Sequence, residues 1–187
     1  MSILGRTEIL ERISKGEIYC NPVSPKIGTI SMDLTLGDCF FRIDPNNYGL
    51  FSPENYGSAG DFIVLRHGVT LCHTHEYVGT TVPHLAMQLN TVSTIARHGI
   101  STNMGSMWIE PGYCSRITLE MYNPWKDPFY LPVGTTVCSV VFHTVQGCDS
   151  LCDSSYNVGE KEWTPWDMLP KVNLGKWSKE KVKGSGN

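Results

Sequence analysis

Apolar and polar residues alternate along much of the chain with a period of two, the signature of strands laid against a core. The alternation is cleanest in Arg116–Asn123, RITLEMYN, where Ile117, Leu119 and Met121 fall on one side. Arg116, Thr118, Glu120 and Tyr122 share the other. The same pattern predicts strands over Met32–Leu36, Phe40–Ile43, Phe62–Leu65, Val69–Tyr77, Leu85–Leu89 and Thr136–Phe142. One early segment has the helical period instead: Thr7–Lys15 places Ile9, Leu10 and Ile13 on one face, with Gly16 as a C-terminal stop. A second helical turn brings Ser93, Thr94 and Arg97 together, since Arg97 lies three and four residues beyond the other two. Residues 44–60, dense in Pro, Gly, Asn and Ser, predict a long surface loop. Gly134 marks a turn before the last strand. Many short strands with one or two small helices predict a mainly β barrel or sandwich.

Composition narrows the class. The 187 residues suit one domain with a full core, and 41% apolar with 18% charged residues is ordinary for a globular protein. A net charge of −3 leaves no basic surplus for tracking a polynucleotide, so no nucleic acid polymer is expected as partner. No apolar run approaches the ~20 residues that span a bilayer, and MSILGRTEILERISKGE has no secretory apolar core. The expected location is cytoplasmic, without membrane attachment. There, the seven dispersed cysteines (20, 39, 72, 114, 138, 148 and 152) are expected as reduced thiols, several of them buried. After Gly147 the texture changes: Trp163, Trp166 and Trp177 stand among Pro, Lys and Glu. Residues 1–147 are therefore read as the domain, and 148–187 as a tail that packs on something, covers a site or joins subunits.

Candidate chemistry is sparse. Cys72-His-Thr-His-Glu76 offers metal-loving side chains, with His73 and His75 projecting from one strand face. Two histidines two residues apart are half a site, however, and the plainer reading is a strand with polar residues on its outer side. The H-x-E plus P-C-x-x-C set of zinc deaminases is missing, since Cys148 and Cys152 are separated by three residues with no Pro before them. Phosphate-cradling glycine motifs and the G-x-S-x-G elbow are missing too. What remains is the stretch 90–123, which holds Ser93, Thr94, Arg97, the turn Glu110-Pro-Gly-Tyr113 and the carboxyl of Glu120. From pattern alone, Glu120 is either a residue on a solvated sheet face or a carboxylate held at a working site.

Several motifs, in order, resemble the dCTP deaminases, a family that shares its fold with the dUTPases. Glu17-Ile-Tyr-Cys-Asn-Pro22 followed by Ser31-Met-Asp-Leu-Thr-Leu-Gly37 is similar to that family's N-P segment and S-V-D-V-R-L-G. Val92-Ser-Thr-Ile-Ala-Arg97 resembles R-S-S-L-A-R, and Ile109-Glu-Pro-Gly-Tyr113 resembles I-D-P-G-W or I-D-P-G-Y. Leu119-Glu-Met-Tyr-Asn123 matches L-E-x-Y-N, and Pro132-Val-Gly134 with its following strand matches the last core motif. The likeness runs from about Gly5 to about Val145.

The resemblance implies a dUTPase-like distorted β-barrel or jelly-roll and a homotrimer with sites between subunits. It implies hydrolytic deamination of a deoxycytidine nucleotide, dCTP to dUTP and ammonia, in pyrimidine deoxynucleotide metabolism. The dUTPases carry an apolar residue where Glu120 stands, so this residue turns the choice towards deamination. The implied catalytic residues are Glu120 as base, Ser93 holding the water, and Arg97 against Glu120. Thr94, Ser106, Glu110, Tyr113 and Tyr156 are implied at the substrate, Glu110 by the deoxyribose and Tyr113 on the sugar. Magnesium would ride on the phosphates, with no catalytic metal held by the protein. The chain also departs from the family: Val92 and Trp108 stand where Arg is usual, Glu110 replaces Asp, and of the tail's closing residues only Tyr156 remains. Loss of an Arg on phosphate removes a contact of ~1.5–3 kcal/mol, which Lys161, Lys171 or Lys176 could replace. These departures leave open another phosphorylation state, a modified cytosine nucleotide, a nucleotide-binding protein whose Trp-rich tail grips a partner, or a dUTPase-type or combined hydrolase using Glu110.

Overall fold

The period-two pattern becomes strands in the computed structural model. Residues 2–22, 26–42, 56–58, 60–153, 164 and 168 are described. Two helices occur among them, α1 (Arg6–Ser14) and α2 (Ser93–Ala96). The strands are β1 (Ile18–Asn21), β2 (Met32–Thr35), β3 (Cys39–Arg42), β4 (Tyr56–Ser58), β5 (Phe62–Leu65) and β6 (Gly68–Thr80). They continue with β7 (Leu85–Thr91), β8 (Trp108–Ile109), β9 (Cys114–Asn123), β10 (Phe129–Pro132) and β11 (Thr136–Thr144). The protein is mainly β, as the alternation predicts.

β6 is the spine. Along one edge it pairs antiparallel with β9, from Gly68↔Asn123 to Gly79↔Cys114. Its other edge is divided: Thr70 and Leu71 pair with β3, while Tyr77–Thr80 pair with β1. β4 adds to β3 and completes a five-stranded sheet. A second sheet runs β2-β11-β7-β8, and β10 pairs β5 in a two-stranded ribbon. The inward faces supply one apolar core, in which Leu34, Leu65, Met87, Leu119, Met121 and Phe142 are fully buried. Ile117, Leu119 and Met121 all point inward as expected.

Four expectations need correction. α1 buries Ile9 and partly Ile13, whereas Leu10 is exposed. Residues four apart share a helix face and Leu10 lies about 100° round from Ile9. The loop predicted over 44–60 contains β4, which finds its hydrogen bonds on β3. His73 and His75 do not project together, because the ladder shifts register between His73 and Tyr77. Nor is the polar run Cys72–Glu76 an outer face: His73, Thr74 and Glu76 are buried, and only His75 is exposed.

Buried polar groups need partners, and this bulge supplies them. Thr74 Oγ1 donates to the Glu76 carbonyl at 2.8 Å and accepts the Ile117 N–H at 2.9 Å. The Glu76 carboxyl accepts the Thr35 N–H at 2.8 Å and the Thr35 hydroxyl at 2.9 Å. Thr35 belongs to the second sheet, so one side chain fastens the two layers together. The seven cysteines form no disulfide, and Cys20, Cys39, Cys72 and Cys138 are buried. Burial pushes the Cys72 and Cys138 thiols well up, which leaves them unreactive. No helix among the described residues is long and apolar enough to cross a membrane.

Glu76→Ala strands a buried N–H and hydroxyl at Thr35. It should lower unfolding stability in urea by about 3 kcal/mol, and Glu76→Gln, which keeps one acceptor, by less. A Glu76→Ala protein as stable as the parent would mean that the two sheets do not depend on this contact.

Candidate active site

Glu120 sits in the middle of β9, opposite Leu71 of β6. Its neighbours Leu119 and Met121 point into the core, so Glu120 must face the other way. That other side is not open solvent, for Glu120 is half-buried. On the same side of β6 and β3, Leu71 and Phe41 pack with Met168 of the tail. The free edge of β9 is covered where Ser101 and Tyr122 exchange two backbone hydrogen bonds, at 3.2 and 3.0 Å. Thr102 anchors the same loop to the end of β7, its N–H donating to Thr91 Oγ1 at 3.1 Å. The loop then carries the Met104 N–H close enough to the Glu120 carboxyl to favour its charged form. Burial raises the Glu120 pKa above the ordinary carboxylate range, and the Met104 and Glu120 backbone N–H groups offset only part of that rise. This is the profile of a carboxyl able to take up and return a proton.

The turn before β9 also takes its predicted form. The Tyr113 N–H bonds the Glu110 carbonyl at 3.2 Å, and Gly112 has φ +92°, which favours glycine. A side chain at Gly112 would also collide with Leu151, and the Cys152 N–H donates to the Pro111 carbonyl at 2.6 Å. The start of the tail is thus seated on this turn. The Tyr113 hydroxyl donates to the Arg116 carbonyl at 2.8 Å, and burial pushes its pKa up. Its ring is therefore held by its own strand and packs against the core. Glu110 and Ser106 are exposed.

Ser93, Thr94 and Arg97 form the exposed face of α2, a single turn closed by the Arg97 N–H on the Ser93 carbonyl at 3.0 Å. Ile95 pins that turn to the core. Among the described residues no hydrogen bond or ion pair joins Arg97 to Glu120. Within one protomer, then, Glu120 on β9 and the exposed α2 face with Arg97 are not bonded to one another. Val92 packs its side chain on the core, while Trp108 is 48% exposed with its ring edge-on to His143 at 5.0 Å. Tyr156, Lys161, Lys171, Lys176, Trp163, Trp166 and Trp177 lie outside the described residues. The Met104 N–H was not foreseen from sequence: a backbone donor leaves no trace in residue type.

A family model described as dCTP deaminase-like matches residues 3–145. The chain belongs to that family. A dUMP-forming dCTP deaminase of Methanothermobacter thermautotrophicus is 31% identical over 159 residues, covering 78% of this chain and 80% of the relative. A dCTP deaminase of Thermomicrobium roseum is 27% identical over 155 residues, covering 75% and 78%. Among solved structures, the 2′-deoxycytidine 5′-triphosphate deaminase of Agrobacterium tumefaciens superposes with a TM-score of 0.60 at 20% identity. It covers 76% of this chain, which spans only 48% of that longer one. The dCTP deaminase fold expected from the motifs is thereby established, with Glu120, Ser93, Arg97 and Glu110 all inside the matched segment.

Because its pKa is raised in the folded chain, Glu120 binds a proton on folding between its unfolded and folded values. Its contribution to stability therefore falls as pH rises through that window. Glu120→Gln removes this titration. Against that variant, the parent should gain stability as the pH is lowered from about 7 to about 4, the unfolded carboxyl titrating near ~4.3. Urea melts of both proteins at the two pH values measure the difference; a gap independent of pH would place Glu120 in ordinary solvent.

Proposed function

We propose that the protein is a hydrolytic deaminase of deoxycytidine nucleotides, with Glu120 as its proton-transfer residue. The observation that carries this reading is the half-buried carboxyl with a raised pKa on the strand motif Leu119–Asn123, inside a dCTP deaminase-like domain. Water adds to the ring carbon that bears the amino group. Glu120 takes one proton from the water and passes it to the ring nitrogen; it then takes the second from the new hydroxyl, as the carbonyl forms, and hands it to the amino group, which leaves as ammonia. Ser93 holds the water and Arg97 balances the carboxylate during the step. The carboxylate does this work without a metal at the carbon, and magnesium travels with the nucleotide's phosphates.

A homotrimer would join what one protomer keeps apart. The α2 face is exposed, so Ser93 and Arg97 of one subunit are available to meet Glu120 of another and complete the site. Glu110 and the Tyr113 ring then flank the sugar, with Thr94 and Ser106 towards the phosphates and Tyr156 covering them. The expected product is dUTP. A second product, dUMP, has specific support from the relative at 31% identity that is named dUMP-forming; there Glu110 would activate a second water at the phosphates.

Val92 and Trp108 offer the phosphates no charge, so dCDP, dCMP and 5-substituted nucleotides belong in the same assay as dCTP. Ammonia release from at least one of them is expected, with Glu120→Gln slower by about 10²–10⁴-fold. Binding without turnover would instead make this a nucleotide-sequestering protein, and a Glu120→Gln variant at parental rates would end the catalytic assignment. Pyrophosphate appearing with the ammonia, and lost in Glu110→Gln while ammonia persists, would identify the dUMP-forming reaction.

The subunit question has its own test. Arg97→Ala and Glu120→Gln proteins, each impaired alone, should regain part of the activity when unfolded and refolded together, since mixed trimers contain some intact sites. No recovery from mixtures that demonstrably exchange subunits would confine the site to one chain.

A further inference from the structure

The buried polar run of β6 carries one grouping that deamination does not use. The turn between β2 and β3 lays Asp38 and Cys39 beside His73, and their ligand atoms all lie within 4.8 Å of one another. His73 Nε2 is 3.5 Å from Asp38 Oδ1, and Cys39 Sγ is 3.4 Å from the same oxygen. A tetrahedral ion at ordinary zinc bond lengths separates its ligands by about 3.3–3.5 Å, so the two spacings to Asp38 Oδ1 correspond to two edges of such a site. We propose that Asp38, Cys39 and His73 form a binding site for a borderline-soft divalent cation of the zinc type, with the fourth position open to solvent on the Asp38 side.

The surroundings favour that use. The His73 ring packs directly over Gly37, where any side chain would overlap it, so the imidazole is fixed in position. Its Nδ1–H donates to the Thr74 carbonyl at 2.8 Å, which sets the tautomer and leaves Nε2 as the lone-pair atom aimed at Asp38 and Cys39. Metal-binding histidines are oriented by this kind of contact to a backbone carbonyl. Nε2 now accepts the Cys39 N–H at 3.2 Å, so an incoming ion must displace that N–H from the lone pair. At the Nδ1 edge, the Arg116 guanidinium stands 3.2 Å away and offsets the charge of a thiolate–carboxylate pair. Access is asymmetric: the Asp38 side chain is 57% exposed, His73 is fully buried, and Cys39 packs with Phe41, Leu71 and Met168. A cation can therefore enter past Asp38 into an otherwise closed corner.

The mixed N, S and O donors suit zinc or cobalt and disfavour magnesium, which prefers oxygen. The site is separate from the substrate's magnesium and does not depend on the deaminase reading. It would tie the turn after β2 to the bulge of β6. Binding releases the thiol proton of Cys39, and the zinc or cobalt ion supplies the balancing charge.

Metal-free full-length protein titrated with Co(II) should bind one equivalent per chain and develop a near-ultraviolet thiolate-to-cobalt charge-transfer band. Zn(II) should bleach that band and raise the melting temperature. Cys39→Ser should lose the band. Asp38→Asn, at an exposed position that leaves the fold intact, should bind Co(II) at least tenfold more weakly and lose most of the zinc-dependent melting shift. Absence of the band in the parent, or its persistence in Cys39→Ser, would overturn the site; the latter would locate the thiolate elsewhere, at Cys148 or Cys152.

Discussion

The architecture depends on how a thirteen-residue strand can serve three partners. β6 meets β3 at one end of an edge and β1 at the other, so it must bend and shift between them. A shift of register turns side chains to the wrong face, and here it drives His73, Thr74 and Glu76 into the interior. The cost of burying them is met locally: Thr74 satisfies two backbone groups, and Glu76 reaches across to Thr35 of the second sheet. Without that carboxyl the bulge would be a defect. With it, the bulge becomes the join between the two sheets and fixes where β9 lies.

Glu120 inherits its position from this arrangement. β9 is held in register along β6 on both sides of the bulge, at Leu71↔Glu120 and at Tyr77↔Arg116. Its inward residues are core, which leaves Glu120 no freedom to turn away. The loop that approaches it is fixed independently, through Ser101 to Tyr122 and Thr102 to Thr91. Two anchors therefore set the separation of the carboxyl and the Met104 N–H. Neither group gains from the contact alone: burial opposes the charged carboxylate, and the amide compensates incompletely. That residual disfavour is what raises the proton affinity.

Most strands were legible because each had enough residues for alternation to be seen. Phe62–Leu65 was placed residue for residue, and the inward side of β9 followed from three apolar residues two apart. β4 and β8, of three and two residues, owe their existence to a partner strand, which no local pattern encodes. β1 (IYCN) and β10 (FYLP) are no shorter than β5, but each ends in a residue rare in strands, Asn or Pro, which hides it. In the Cys72–Glu76 run polarity does not mean exposure, because its polar groups are bonded to one another and to Thr35. The site shows the same limit. The resemblance named Glu120, Ser93 and Arg97, but no residue type encodes how far α2 lies from Glu120.

Two of the departures from the family's pattern, Val92 and Trp108, act through different links. Val92 precedes α2 and contributes its side chain to the core, so the change from Arg trades a charge for packing. Trp108 gains nothing comparable: nearly half exposed, it touches His143 only edge-on. An exposed indole on a two-residue edge strand is a poor use of apolar area unless something covers it. The strand faces Gln88, whose amide oxygen is already engaged with His143 Nε2 at 3.1 Å. The local hydrogen bonds are thus complete without the Trp108 side chain. Its replacement of a cation removes charge from the nucleotide's expected path and adds a flat apolar surface there. Such a surface favours a ring or another apolar group over a charged one as its neighbour.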